Sequence, residues 1–254
     1  MPAGWRLYLP EDWCGDQERR ALAKIPDHVV FQTKPEIATD LVEQIAGWQL
    51  PRAPVLADPA YGRDVMFRER LHAAELEYLV AVSTEIAVYP EQTRFEVPPA
   101  RGPGHTPTIR RADEPSLSVK EIAATVPTDD WQTIQTTTPT GKKRESTVSL
   151  HRVYAKTRVV EHRLEPRLET LLIEKHDGQH DYWLSNLPAD TPIEQLVHLA
   201  HLRWQIELDY KELKDDLGLD HYEGRSYTGW HHHTALVTAA HAFLTEERRL
   251  RPRP

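Results

Sequence analysis

The chain has one cysteine, Cys14, in 254 residues. A single thiol cannot close an internal disulfide or build a cysteine-rich zinc site, and it suits a reducing cytoplasm. Long apolar runs are also missing. No stretch approaches the roughly 18 residues that span a bilayer, and the opening MPAGWRLYLPEDW has no charged segment followed by an apolar one. The expectation is a soluble, cytoplasmic protein with no membrane partner. A general excess of positive charge is lacking too. The formal net charge of −8 excludes a uniformly basic surface and confines contact with a polyanion to a local patch.

What is present suffices for a folded core. Hydrophobic residues make up 39% and Trp occurs seven times, while 20 Pro predict many turns. The length allows one large domain, or one domain carrying an inserted subdomain. One basic run stands out. Lys142, Lys143, Arg144, Arg152, Lys156, Arg158, Arg163 and Arg167 share a segment with only Glu145, Glu161 and Glu165. It reads equally as an anion-binding patch and as a solvated strand face.

Along the chain, WRLYL reads as a short strand ended by Pro10, Asp16 to Lys24 as a helix, and VVFQT as another brief strand. Pro35 suits the first turn of a helix whose apolar positions Ile37, Leu41, Ile45 and Trp48 recur at helical spacing. Pro54-Val55-Leu56-Ala57 is a strand that delivers Asp58 at its C-terminal end, followed by the turn-prone Pro59-Ala60-Tyr61-Gly62. A helix over about 64–74 and the strand Tyr78–Val82 follow. Strand, helix, strand predicts parallel α/β organisation, in which sites collect beyond the carboxyl ends of strands.

From Tyr89 to Pro188 the chain reads as a β-rich insertion, with a short helix near Ser118 to Ala124 and a hairpin turning at Asp177-Gly178. Thr191-Pro192-Ile193-Glu194 starts a helix that runs to about Leu217 and stops at Gly218. A last helix is expected from about Thr234 to Leu244. The resulting division is 1–88 as the first part of a core, 89–188 as insertion, 189–246 as C-terminal helices of the core and 247–254 as a disordered tail.

At about 100° per residue, Glu207 and Lys214 fall near Arg203, on the edge of the apolar stripe built by Leu196, Leu199, Leu202, Ile206 and Leu213. Buried charge is costly unless paired or bound to a metal. Arg203 and Glu207 could form an ordinary i,i+4 helix pair. The other reading makes Glu207 an inward metal ligand, with Arg203 and Lys214 orienting it or holding phosphates.

The segment RWQIELDYKELKDDLGLDHYEGRSYTGWHHH resembles the C-terminal signature of bacterial insertion-sequence transposases of the DDE superfamily, in the branch with a β-rich insertion before the glutamate. VLADPAYG is similar to the segment bearing that family's second aspartate, and WRLYLPEDW to the strand before it. The resemblance implies an α/β, RNase H-like mixed sheet flanked by helices, with Asp58 and Glu207 as catalytic acids and ligands of Mg²⁺ (or Mn²⁺). The branch's Tyr-Arg-Glu-Lys pattern is met by Arg203, Glu207 and Lys214, with Ala200 where it has Tyr. Arg203, Lys214 and Arg225 are the implied DNA contacts, to transposon ends and target. An aromatic in the insertion that stacks on an extruded base is a further family feature, for which Trp131 and Trp183 are candidates, though both also suit a core.

The resemblance also implies a first aspartate on an earlier strand, upstream of WRLYL. Asp12 and Asp16 follow Pro10 in a loop or helix start and do not replace it. The expectation is therefore a truncated transposase lacking the first strands and unable to cut DNA alone, since two divalent ions about 4 Å apart need a full set of carboxylates. The alternative is a non-catalytic DNA-binding or regulatory remnant, acting as a homodimer or with full-length transposase. An unrelated metal-dependent hydrolase using Asp58 and Glu207 is a third reading. The run His231–His233 points in different directions on a helix and does not suit one ion.

Overall fold

The computed structural model describes residues 1–48, 50–99, 108–137, 143–156, 165–176 and 178–251. Lys142, Arg158, Glu161 and Arg163 of the basic run, Asp177 of the expected turn and residues 252–254 of the expected tail lie outside them. The chain divides into two compact units, Met1–Arg52 with Trp204–Pro254, and Ala53–Arg203. Among the described residues no helix is long and apolar enough to cross a membrane.

The opening part of the first unit is helical: α1 (Glu11–Gly15), α2 (Gln17–Ala23) and α3 (Lys34–Ala46). Local chemistry starts these helices. The Asp16 carboxylate caps α2 by accepting the Arg19 N–H at 3.0 Å, and Thr33 with Glu36 forms a reciprocal capping box at α3, which has Pro35 in its first turn. Neither WRLYL nor VVFQT becomes a strand, contrary to expectation. A strand requires a ladder, and side chains hold the opening segment instead. Trp5 Nε1 donates to Thr238 Oγ1 at 2.6 Å, Arg6 pairs with Asp40 at 3.0 Å, and Leu9 is buried with Ala23 and Ile25.

The second unit holds β1 (Val55–Ala57), α4 (Pro59–Gly62), α5 (Val65–Ala73), β2 (Tyr78–Val82), β3 (Ala87–Pro90), β4 (Phe95–Glu96), β5 (Arg111–Ala112) and β6 (Leu117–Ser118). It continues with α6 (Val119–Thr125), β7 (Gln132–Thr137), β8 (Lys143–Ala155), β9 (Leu168–His176), β10 (Gln179–Ser185) and α7 (Ile193–Leu202). One mixed sheet runs in the order β1-β2-β10-β9-β8-β3-β6, with β7 also on β8 and β4–β5 as a separate ribbon. β1 and β2 are parallel, Leu56 opposite Leu79; the remaining ladders are antiparallel. This is the mixed sheet flanked by helices expected of an RNase H-like α/β fold. Strands from 89–188 also join β1 and β2 in this sheet: Trp183 on β10 lies opposite Ala81 on β2.

The core follows from strand alternation. On one face Leu79, Ala81, Leu172, Trp183, Ile134 and Val148 pack with Leu196, Val197 and Ala200 of α7, each large apolar side chain contributing roughly 1.5 to 3 kcal/mol by burial. Trp183 is thus a core residue. The chain ends in α8 (Gln205–Asp215) and α9 (Tyr227–Leu250) of the first unit. α9 is longer than expected at both ends. Ser226 caps it by accepting the Gly229 N–H, and Glu246–Arg249 and Glu247–Arg251 pairs support the helix through residue 250, into the stretch expected as tail.

Candidate functional site

Asp58 stands where the sequence put it, directly after β1. It is half-buried and is the N-cap of α4: Oδ1 accepts the Ala60 N–H at 2.7 Å and the Tyr61 N–H at 3.4 Å. Pro59 fixes the first helical position. Gly62 then lets the turn lie against β2, because a Cβ there would stand 2.0 Å from the Ala81 carbonyl oxygen. Arg68 of α5, itself buried, donates to the Gly62 carbonyl. A short turn, a glycine and a buried guanidinium therefore set where this carboxylate sits.

Glu207 lies in the first turn of α8, half-buried. The single helix expected to run to Leu217 is two, α7 and α8, separated at Arg203 and Trp204. A wheel drawn through that break loses its phase. Leu213 is buried as expected, but Ile206 is 54% exposed. Asp209 and Glu212 meet charged partners: Asp209 the N-terminal ammonium at 2.9 Å, and Glu212 the Arg248 guanidinium at 2.7 Å. Arg203 is half-buried after α7. Lys214 is exposed, with Nζ 5.9 Å from the Tyr210 ring centroid. Arg225 is exposed in the loop before α9.

Asp58 and Arg203 belong to Ala53–Arg203, and Glu207, Lys214 and Arg225 to the other unit. Among the described residues no group of three or more His, Cys, Asp or Glu side chains is arranged to hold a metal ion. The histidine run diverges: His231 Nδ1 donates to the Tyr227 carbonyl at 2.9 Å and His233 Nε2 to the Gly218 carbonyl at 3.0 Å. Asp16 caps α2 and Asp12 lies in α1, the loop or helix start that sequence gave them.

Four described members of the basic run have polar partners. Arg144 pairs with Glu174 at 3.6 Å, Arg152 reaches Thr170 and the Leu168 carbonyl, Lys156 donates to Ser116 Oγ at 3.0 Å, and Arg167 pairs with Glu69. Trp131 is half-buried, 5.6 Å from the His180 ring and beneath Lys175.

Sequence reasoning missed two buried acids on β9. Glu174 is 1% exposed and meets His201 Nε2 at 2.9 Å, while Glu169 is 6% exposed near Arg68, Arg167 and Tyr78. The signal was available: in LETLLIEKH two glutamates bracket an apolar run of the kind that is buried on both faces.

No curated protein matches the chain. The family model for DDE superfamily endonucleases, a transposase-like class of nucleases that act on DNA and generally use divalent metals, matches residues 1–145. That stretch includes Asp58, ends before Glu207 and covers more than half of the sequence. The chain belongs to the DDE superfamily endonuclease family.

Proposed function

We propose that the chain is an insertion-sequence transposase, built for strand cleavage and strand transfer, with Asp58 and Glu207 as its catalytic acids and the ligands of Mg²⁺ (or Mn²⁺). The observation that carries this reading is a family match over residues 1–145 that includes Asp58, a carboxylate delivered at the carboxyl end of a parallel strand. Such strand ends are where sites collect in α/β sheets.

Carboxylate oxygens are the donors a hard divalent ion prefers. Asp58 offers one from a carboxyl already oriented by two backbone N–H groups. A bound ion would supply Lewis acidity to a phosphodiester. The fit to these residues is partial, since the two acids are single contributions from separate units. Arg203, Lys214 and Arg225 have the role of holding backbone phosphates in this reading, and a guanidinium or ammonium there positions DNA without reading its sequence. The division into core (1–88 and 189–246) and insertion (89–188) belongs to the same reading.

A nicking assay on a supercoiled plasmid with Mg²⁺ or Mn²⁺ tests it. Metal-dependent nicking by the unaltered chain that vanishes in Asp58→Asn and in Glu207→Gln would assign both acids to the reaction. Salt-sensitive DNA binding by all three proteins with nicking by none would overturn it in favour of a non-catalytic DNA-binding protein.

A further inference from the structure

The long helix α9 has a buried side and, opposite it, an exposed side that is largely apolar. Thr234, Val237 and His241 form the buried side. On the other lie His232, Leu236, Ala239, Phe243, Glu246 and Leu250, all exposed. Steps of four and three residues alternate between them, so they line one stripe along most of the helix. Leu236, Phe243 and Leu250 are 59, 64 and 63% exposed, and Ala235 and Ala240 flank the stripe. A helix with one core-facing side needs one partner. A second apolar side needs a second partner.

The stripe has the spacing of a coiled-coil seam and is complementary to itself when turned antiparallel about a two-fold axis near residue 241. Large then meets small: Phe243 of each copy packs on Ala239 of the other, Leu236 on the stem of Glu246, and His232 on Leu250. A parallel pair would instead bring the two Glu246 carboxylates together inside the seam, where like charges are costly. The antiparallel pair separates them by about 15 Å along the axis and opposes the two helix dipoles. Glu246 also keeps its own cation, Arg249 at 2.9 Å. The area suffices. Three large side chains and three alanines present roughly 500 Å² per copy, hence roughly 1,000 Å² for a pair, which is where specific interfaces begin.

We propose that the exposed side of α9 is a dimer interface, covered by the same side of a second copy of this chain in antiparallel register. The seam runs from His232 to Leu250, with Phe243 and Ala239 as its central layers. Neither Asp58 nor Glu207 takes part, so the interface serves a nuclease and a non-catalytic DNA-binding protein alike.

Sedimentation equilibrium of the full chain, from about 1 to about 100 µM, tests it. A reversible dimer is expected, weakened at least about thirtyfold in Phe243→Glu. Leu22→Glu, which alters an exposed apolar residue on α2, should leave it unchanged. Circular dichroism checks folding; should Phe243→Glu unfold, Leu236→Glu decides. A monomer at every concentration would leave the face to a different molecule and overturn the proposal, as would a dimer indifferent to Phe243→Glu or equally weakened by Leu22→Glu. Cross-linking reads the register. In a Cys14→Ser background, His232→Cys and Leu250→Cys chains treated with a short bis-maleimide should link only when the two are mixed; links within either variant alone, or none in the mixture, would overturn the antiparallel arrangement. Asp58→Asn and Glu207→Gln should dimerise normally, so a failed nicking experiment leaves this result standing.

Discussion

Glu169 and Glu174 share a strand and a side-chain type, and both are almost wholly buried, yet the two faces of β9 treat them oppositely. At Glu174 burial acts to raise the carboxyl, but the hydrogen bond and charge of His201 and the charge of His176 outweigh it and hold the group below its ordinary value. His201 Nε2 stands 2.9 Å away and His176 Nε2 3.5 Å. At Glu169 burial wins. Its cationic neighbours are already committed, Arg68 to the Gly62 carbonyl and Arg167 to Glu69. The ionisation of a buried acid is thus decided by which nearby donors remain available, more than by how deeply it lies.

One substitution made at both positions can break that comparison. Glu174→Gln should destabilise the chain by about 2 kcal/mol at neutral pH, because it removes the charged acceptor from His201. Glu169→Gln should leave stability unchanged or slightly raised, since burial disfavours the charged form of the native carboxyl and the amide is nearly the same shape. Urea unfolding of both variants measures this, and equal losses would show that depth alone governs both sites.

A smaller effect is the dependence on pH. Glu174 has a lowered folded pKa, so its contribution is present above the ordinary value of 4.5 and is lost as pH falls through the folded value. Glu169 has a raised one, so its contribution is full below 4.5 and is lost as pH rises above it. Relative to the unaltered chain, Glu174→Gln should therefore recover stability in acid, and Glu169→Gln should gain it towards neutral pH. Stability curves of parallel slope for the two variants would contradict the assignment.

Neither acid could be placed from sequence, although much around them could. The helix with Pro35 in its first turn, the short helix near Ser118, the strand ending at Asp58 and the β9–β10 hairpin are written in neighbouring residues, and all form. What sequence reading got wrong depends on distant partners. WRLYL has strand composition but is fastened by Thr238 and Asp40. The division between α7 and α8 falls at the boundary of the two compact units, which periodicity does not encode. Which side of β9 faces α7 is fixed by register with β8 and β10. Of the proposed site, the turn around Asp58 was legible in full, because the strand, Pro59 and Gly62 that build it are contiguous; Glu207 was read from a longer motif through a helix break that the motif hides.

Gly62 carries one more consequence. With no side chain between the α4 turn and the Ala81 carbonyl, and with Arg68 clamped on its own carbonyl, the loop that bears Asp58 has no slack of its own. It opens only when the second strand opens. Hydrogen exchange at the amides of Ala60 to Gly62 should accordingly be as slow as in Tyr78–Val82, giving this acid the stiffness of the sheet interior although it sits in a loop.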